Sequence, residues 1–190
     1  MIRKIFAISL ALAFAGALLP GAVLAADKDP AAQRAEVHKD VMNTIARFKK
    51  TDPAMENFFK NSVGYAVFAR VGKAGLIVGG GAGDGELFEN HKVIGAASIG
   101  FGTIGLQAGI QEFSQIVFFK DQAALDRFKQ NKFEFEANAS AVIVKAGASK
   151  GADYSHGVAV FTHSTGGAMA EAALGTQKFS FTPDAPAMKK

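Results

Sequence analysis

The sequence contains no cysteine. Disulfides are therefore excluded, and so is acylation of an N-terminal cysteine after export; an oxidising compartment is tolerated but not exploited. Tryptophan is absent too, and tyrosine occurs only at Tyr65 and Tyr154. Membrane-spanning barrels carry girdles of both residues at their interfaces, so this composition argues against one despite the many glycine-rich alternating segments. Charge of one sign is scarce: 21 lysines and arginines against 17 acids leave +4, too weak an excess to indicate nucleic acid. The four histidines, His38, His91, His156 and His163, have no HExxH-like spacing, so no metal and no cofactor are expected. The acids form no catalytic couple either, because Glu134 and Glu136 alternate with phenylalanines and so share one strand face.

What the chain does have is a leader pattern. Arg3 and Lys4 precede an apolar run from Ile5 to Leu19, followed by Pro20, Gly21 and small residues up to Ala26. The run is shorter than the roughly 20 residues of a spanning helix, and Val23 and Ala25 suit the positions before a cleavage site. Residues 1–25 are expected to be a signal peptide and the protein to be periplasmic or secreted, at most peripheral on a membrane. Cleavage removes Arg3 and Lys4 and takes the charge from +4 to +2. The remainder is long enough for one domain with its own core.

Residues 26–60 read as a helical segment. Val37, Val41, Ile45 and Phe48 recur at helical spacing, and Thr51, Asp52 and Pro53 end this helix and start a shorter one through Met55, Phe58 and Phe59. The apolar stripe has two destinations open to it, the protein's own core or a membrane or partner surface. Residues 61–182 change texture to short β-rich runs such as GYAVFAR, AGLIVGG, GELFE, KVIGAAS, FSQIVFFK, GVAVFTH and KFSF. Asn90 with His91, and Thr165 to Gly167, look like hairpin turns. One helix interrupts, with Asp121 as N-cap and Ala124, Leu125 and Phe128 on one face. Residues 183–190 form a tail. The class expected is α+β: N-terminal amphipathic helices, then a large antiparallel β-sheet, sandwich or partly closed barrel with one inserted helix.

Two literal motifs invite an enzymatic reading. GFGTIGLQAG contains GxGxxG in Gly100, Gly102 and Gly105, but the larger apolar residues that follow recur at every second position, as in a strand, whereas dinucleotide binding needs a helix start. No nucleotide is expected; these glycines are read as places where another backbone approaches closely. GGGAGDG, Gly79 to Gly85, lacks the GK[ST] of a phosphate loop. GASKG, Gly147 to Gly151, matches GxSxG with Ser149 central, and Asp153 with His156 or His163 follows. A loop succeeds it rather than the helix of a nucleophile elbow. A serine hydrolase using Ser149 remains the alternative from another class.

The segments GYAVFARVGKAGLIVGGGAGDG, GFGTIGLQAGIQ with FSQIVFFKD, FEFEANASAVIV and GVAVFTHSTGGAMAEAALGTQKFSF occur in an order that resembles the SYLF domain family, over Phe58 to Phe181. The resemblance implies a non-enzymatic domain that binds anionic phospholipid through an amphipathic N-terminal helix and basic residues. Carried onto this chain, the lipid-binding candidates are Lys39, Arg47, Lys49 and Lys50 on the first helix, with Arg70 and Lys73 flanking the FARVGKAG corner. Surface charge with no ligand is the plain alternative for each. A protein partner using the same helix face is a further alternative, and the oligomeric state is open.

Overall fold

The computed structural model describes residues 29–75, 78–104, 110–131, 134–136, 141–164 and 176–184. The leader 1–25, the turn at 165–167, and Gly105 and Gly109 lie outside the described residues. Helix α1 spans Pro30–Thr51. The Asp29 carboxylate accepts from the Ala31 N–H at its start, proline fills the first position, and Lys49 and Lys50 lie in the last turn, where a helix favours cations. A 3-10 turn, Pro53–Met55, leads into α2, Glu56–Asn61.

Among the described residues eight strands form a single sheet: β1 Gly64–Gly75, β2 Val78–Glu89, β3 Lys92–Ile104, β4 Ile110–Phe119, β5 Glu134–Glu136, β6 Ala141–Ile143, β7 Val158–Ser164 and β8 Thr176–Pro183. Their order is β5-β8-β3-β2-β1-β4-β7-β6. Asn90 and His91 turn β2 into β3 with φ of 50° and 63°, as a tight hairpin turn requires. Helix α3, Gln122–Lys129, follows β4 and is capped by the Asp121 carboxylate on the Ala124 N–H at 2.9 Å. Among the described residues every ladder is antiparallel except β6 on β7. There the chain crosses over through residues 144–157, the length of connection that a parallel pair needs.

Glycine does not break the sheet where the sequence suggests turns. The run AGLIVGG divides, with Ala74 and Gly75 ending β1, while its last residues from Val78 join GELFE within the single strand β2, where residues 79–85 pair with β1 throughout. A Cβ on Gly83 would lie 2.5 Å from the Arg70 carbonyl oxygen, and one on Gly85 would collide with that of Val67. Close backbone approach is thus real in β2. It is not the reason for Gly100 or Gly102, where a Cβ would meet nothing within 4 Å.

The sheet is strongly curled. Gln115 on β4 and Gln177 on β8, both fully buried, exchange two amide hydrogen bonds of 2.8 and 3.1 Å. These strands stand four places apart, roughly 19 Å in a flat sheet. The inner face therefore wraps around a core of Phe68, Phe101, Phe113 and Phe179, capped by Leu125 and Phe128 of α3. Among the described residues no ladder closes the sheet into a barrel. The outer face carries Val67, Phe118 and Phe161, and α1 and α2 cover it with Val41, Ile45, Phe48, Phe58 and Phe59.

Candidate functional site

Lys39 and Lys50 lie three helical turns apart on α1, within about 20° of each other around its axis and on the side opposite the buried stripe. Both are exposed, and neither has a hydrogen bond or ion pair among the described residues. Met42, between them, is 47% exposed, the one large apolar side chain left in solvent among the described residues. The helix therefore presents a ridge of two unpaired cations flanking a methionine.

The other four candidates are placed differently. Arg47 turns toward the sheet, where its guanidinium donates to Ser114 Oγ at 2.5 Å and Thr44 Oγ1 at 3.3 Å. Lys49 is half-exposed, pairs with Glu56 at 3.0 Å and lies 4.5 Å from the centre of the Phe59 ring. Arg70 belongs to a β-bulge: the register of β1 shifts between Phe68 and Arg70 against β2. Ala69 and Arg70 consequently both face α1, and Arg70 pairs with Asp40 at 2.5 Å and Glu36 at 3.3 Å. Lys73 lies farther along β1, opposite Gly81 and Gln111. The structure thus gathers Lys39 and Lys50 on one ridge, holds Lys49 and Arg70 beside the same helix in ion pairs, and draws Arg47 inward.

The apolar stripe has one destination. Val41 and Phe48 are fully buried and Ile45 is 9% exposed, all packed on the outer sheet face, with Val37 partly buried against the same cluster. Of the two destinations the sequence leaves open for this face of α1, it takes the protein's own core. Burying each such side chain stabilises by ~1.5–3 kcal/mol, and in this fold that energy holds the helix to the sheet.

Two polar features beneath the helices went unnoticed in the sequence. His163, at the end of β7, is half-buried against the Phe48 ring at 5.9 Å and sits opposite Ser114 in the β4 ladder. Burial and then the charge of Arg47 push its imidazole below the ordinary value, and its Nδ1 is shut from solvent with no partner among the described residues. Asp52, buried between α1 and the 3-10 turn, accepts from the Ala54 N–H at 3.1 Å and the Ser149 N–H at 2.7 Å. Burial alone would raise its carboxyl, but the hydrogen bonds from Ser149, Ala54 and Gly147 outweigh it and hold the group below the usual range. Neither contact was legible because each joins residues about 100 positions apart.

Ser149 is a wall of this joint. It is 4% exposed in the 3-10 turn Ala148–Gly151, and among the described residues no hydrogen bond links it to a histidine. A nucleophile elbow instead lifts its serine into the open between a strand and a helix. Among the described residues no group of three or more His, Cys, Asp or Glu could hold a metal ion, and no helix is long and apolar enough to cross a membrane.

Residues 100–187 match the protein family Ysc84, described as Las17-binding protein actin regulator, whose domain is the SYLF domain. The SYLF resemblance is borne out over residues 100–187. This family is one of binding modules, related to lipids or to regulators of actin, rather than of known enzymes. No curated protein matches the chain. The matched span begins inside β3 and takes in α3 and β4 to β8, so the α1 ridge lies outside it.

Proposed function

We propose that this SYLF protein is a non-enzymatic envelope module, periplasmic or secreted after loss of residues 1–25, that docks on anionic phospholipid through the outer ridge of α1. Lys39 and Lys50 make the electrostatic contact, Met42 enters the headgroup boundary, and Lys49 and Arg70 add charge at the flanks as their ion pairs open. Lys73 extends the basic corner along β1. The observation that carries the reading is the ridge itself: the two cations of α1 without partners point the same way, away from the body of the domain.

The magnitude is modest. Each cation near an anionic leaflet contributes about 1 kcal/mol, so Lys39 and Lys50 together give ~2 kcal/mol, roughly a 30-fold preference over neutral vesicles. Lys49 and Arg70 contribute little extra, because exposed ion pairs worth ~0–1 kcal/mol must first be exchanged for lipid contacts. Co-sedimentation with vesicles of phosphatidylglycerol and phosphatidylcholine, against phosphatidylcholine alone, tests this. The double variant Lys39→Glu with Lys50→Glu is expected to lose the preference and keep the wild-type melting temperature. Equal partitioning of the wild type onto both vesicles at low salt refutes the proposal.

A further inference from the structure

The contact between the C-terminal half of α1 and the sheet contains a cation, Arg47, and a histidine, His163, neither of which forms an ion pair among the described residues. The Arg47 guanidinium rests on Ser114 Oγ, whose own hydroxyl donates to the Ala69 carbonyl at 2.7 Å. Ser114 is directly opposite His163, and Phe48, the residue after Arg47, covers the His163 ring. Arg47 Nε and His163 Nδ1 are both closed to solvent and without a partner among the described residues. The other charged groups on the elements around the ring are Glu112, two residues before Ser114 on the same face of β4, Arg70 on β1, already held by Glu36 and Asp40, and exposed Lys145 just past β6. Arg47 is the charge that acts on the imidazole.

We propose that His163 is an acid-operated latch on α1: protonating it sets a second positive charge against Arg47 inside this contact, and the C-terminal half of the helix lifts from the sheet, turning Val41, Ile45 and Phe48 toward a membrane. The membrane step rests on the lipid reading given above; the latch itself does not.

The sign follows from linkage. Docked under α1, the imidazole holds a proton less readily than it does in water, whereas with the helix lifted it returns to the ordinary value of 6.5. The lifted state therefore binds the proton more tightly, and falling pH favours it. The two ends of the helix respond differently. His38, in the N-terminal half, has its Nδ1 2.9 Å from Glu86 Oε2, a contact that ties this end of the helix to β2. Asp52 holds the C-terminal end to Ser149 through a carboxyl kept below its ordinary value of 3.8, so that this tether is still in place at about pH 5. Acid thus loosens the middle and C-terminal turns of α1 while both ends stay tethered.

The test is amide hydrogen exchange of the full chain at about pH 7.5 and about pH 5, corrected for intrinsic rates, with vesicle co-sedimentation on the same samples. Residues 44–51 are expected to exchange several-fold faster at the lower pH and residues 33–38 not to. Binding to anionic vesicles should rise and become salt-resistant over the same range. His163→Gln, which cannot titrate, should exchange alike at both pH values, and Arg47→Gln should shrink the difference by removing the opposing charge. Unchanged exchange of residues 44–51 in the wild type overturns the latch whether or not the variants fold. So does a pH response that survives in His163→Gln. Faster exchange without a rise in vesicle binding supports the latch and rejects its membrane step, whereas the lipid reading itself falls only if the wild type partitions equally onto anionic and neutral vesicles.

Discussion

The pair Gln115 and Gln177 offers the sharpest test of the curled sheet. Replacing Gln115 with Leu strips both hydrogen bonds from the Gln177 amide, which is fully buried and has no route to water. An unpaired buried polar group costs ~1–3 kcal/mol, so with part of the loss offset by the apolar side chain each single variant should lose about 2 kcal/mol. Changing both residues to Leu removes both amides together and leaves two apolar side chains of similar size in contact, a replacement expected to cost only about 1 kcal/mol. The coupling energy is then about 3 kcal/mol, far above the ~0.5 kcal/mol within which separated sites add. Equilibrium urea unfolding of the four proteins gives these values directly, provided the slope m is common to all. Two single variants whose costs simply add would show that β4 and β8 do not meet. The sheet would then be flat, the inner core would have no enclosure, and the architecture described above would be wrong.

The joint at Asp52 predicts a pH limit to stability. Its carboxyl titrates below the ordinary 3.8, so its contribution is complete above that pH and is lost as pH falls through the lower folded value. Acid titrations followed by circular dichroism should show Asp52→Asn flatter than wild type below about pH 4, and Asp52→Ala losing ~2–4 kcal/mol at neutral pH through the missing cap and the stranded Ser149 N–H; a wild-type acid profile in Asp52→Asn would refute this role. The glycines predict opposite outcomes from one substitution. Gly85→Ala drives a methyl group into the Val67 carbonyl and should cost more than ~2 kcal/mol, while Gly100→Ala meets open space and should be neutral or stabilise by up to ~1 kcal/mol, as thermal melts will show.

The residues that were legible in the sequence are those whose signal is local. A period of 3.6 gave α1 its apolar face, Asp121 and Asn90–His91 marked a cap and a turn because short polar side chains solve a backbone problem in place, and the SYLF resemblance rested on segments read in order. Lys39 and Lys50 could be named as cations, but not as the unpaired ones. Which face of α1 meets what is not written in its spacing, since an apolar stripe looks the same against a core as against lipid. Only the folded sheet decided that Val41 and Phe48 are buried, that Arg47 turns inward to Ser114, and that a bulge aims Arg70 at Asp40. The same holds for the glycines, whose missing Cβ is demanded at Gly85 by a neighbouring strand and at Gly100 by nothing in the described structure. The parallel edge strand β6, the amide pair at Gln115 and Gln177, and the Phe48–His163 contact are likewise tertiary. Each depends on where residues distant in the chain arrive once the sheet curls, and sequence periodicity carries no information about that distance.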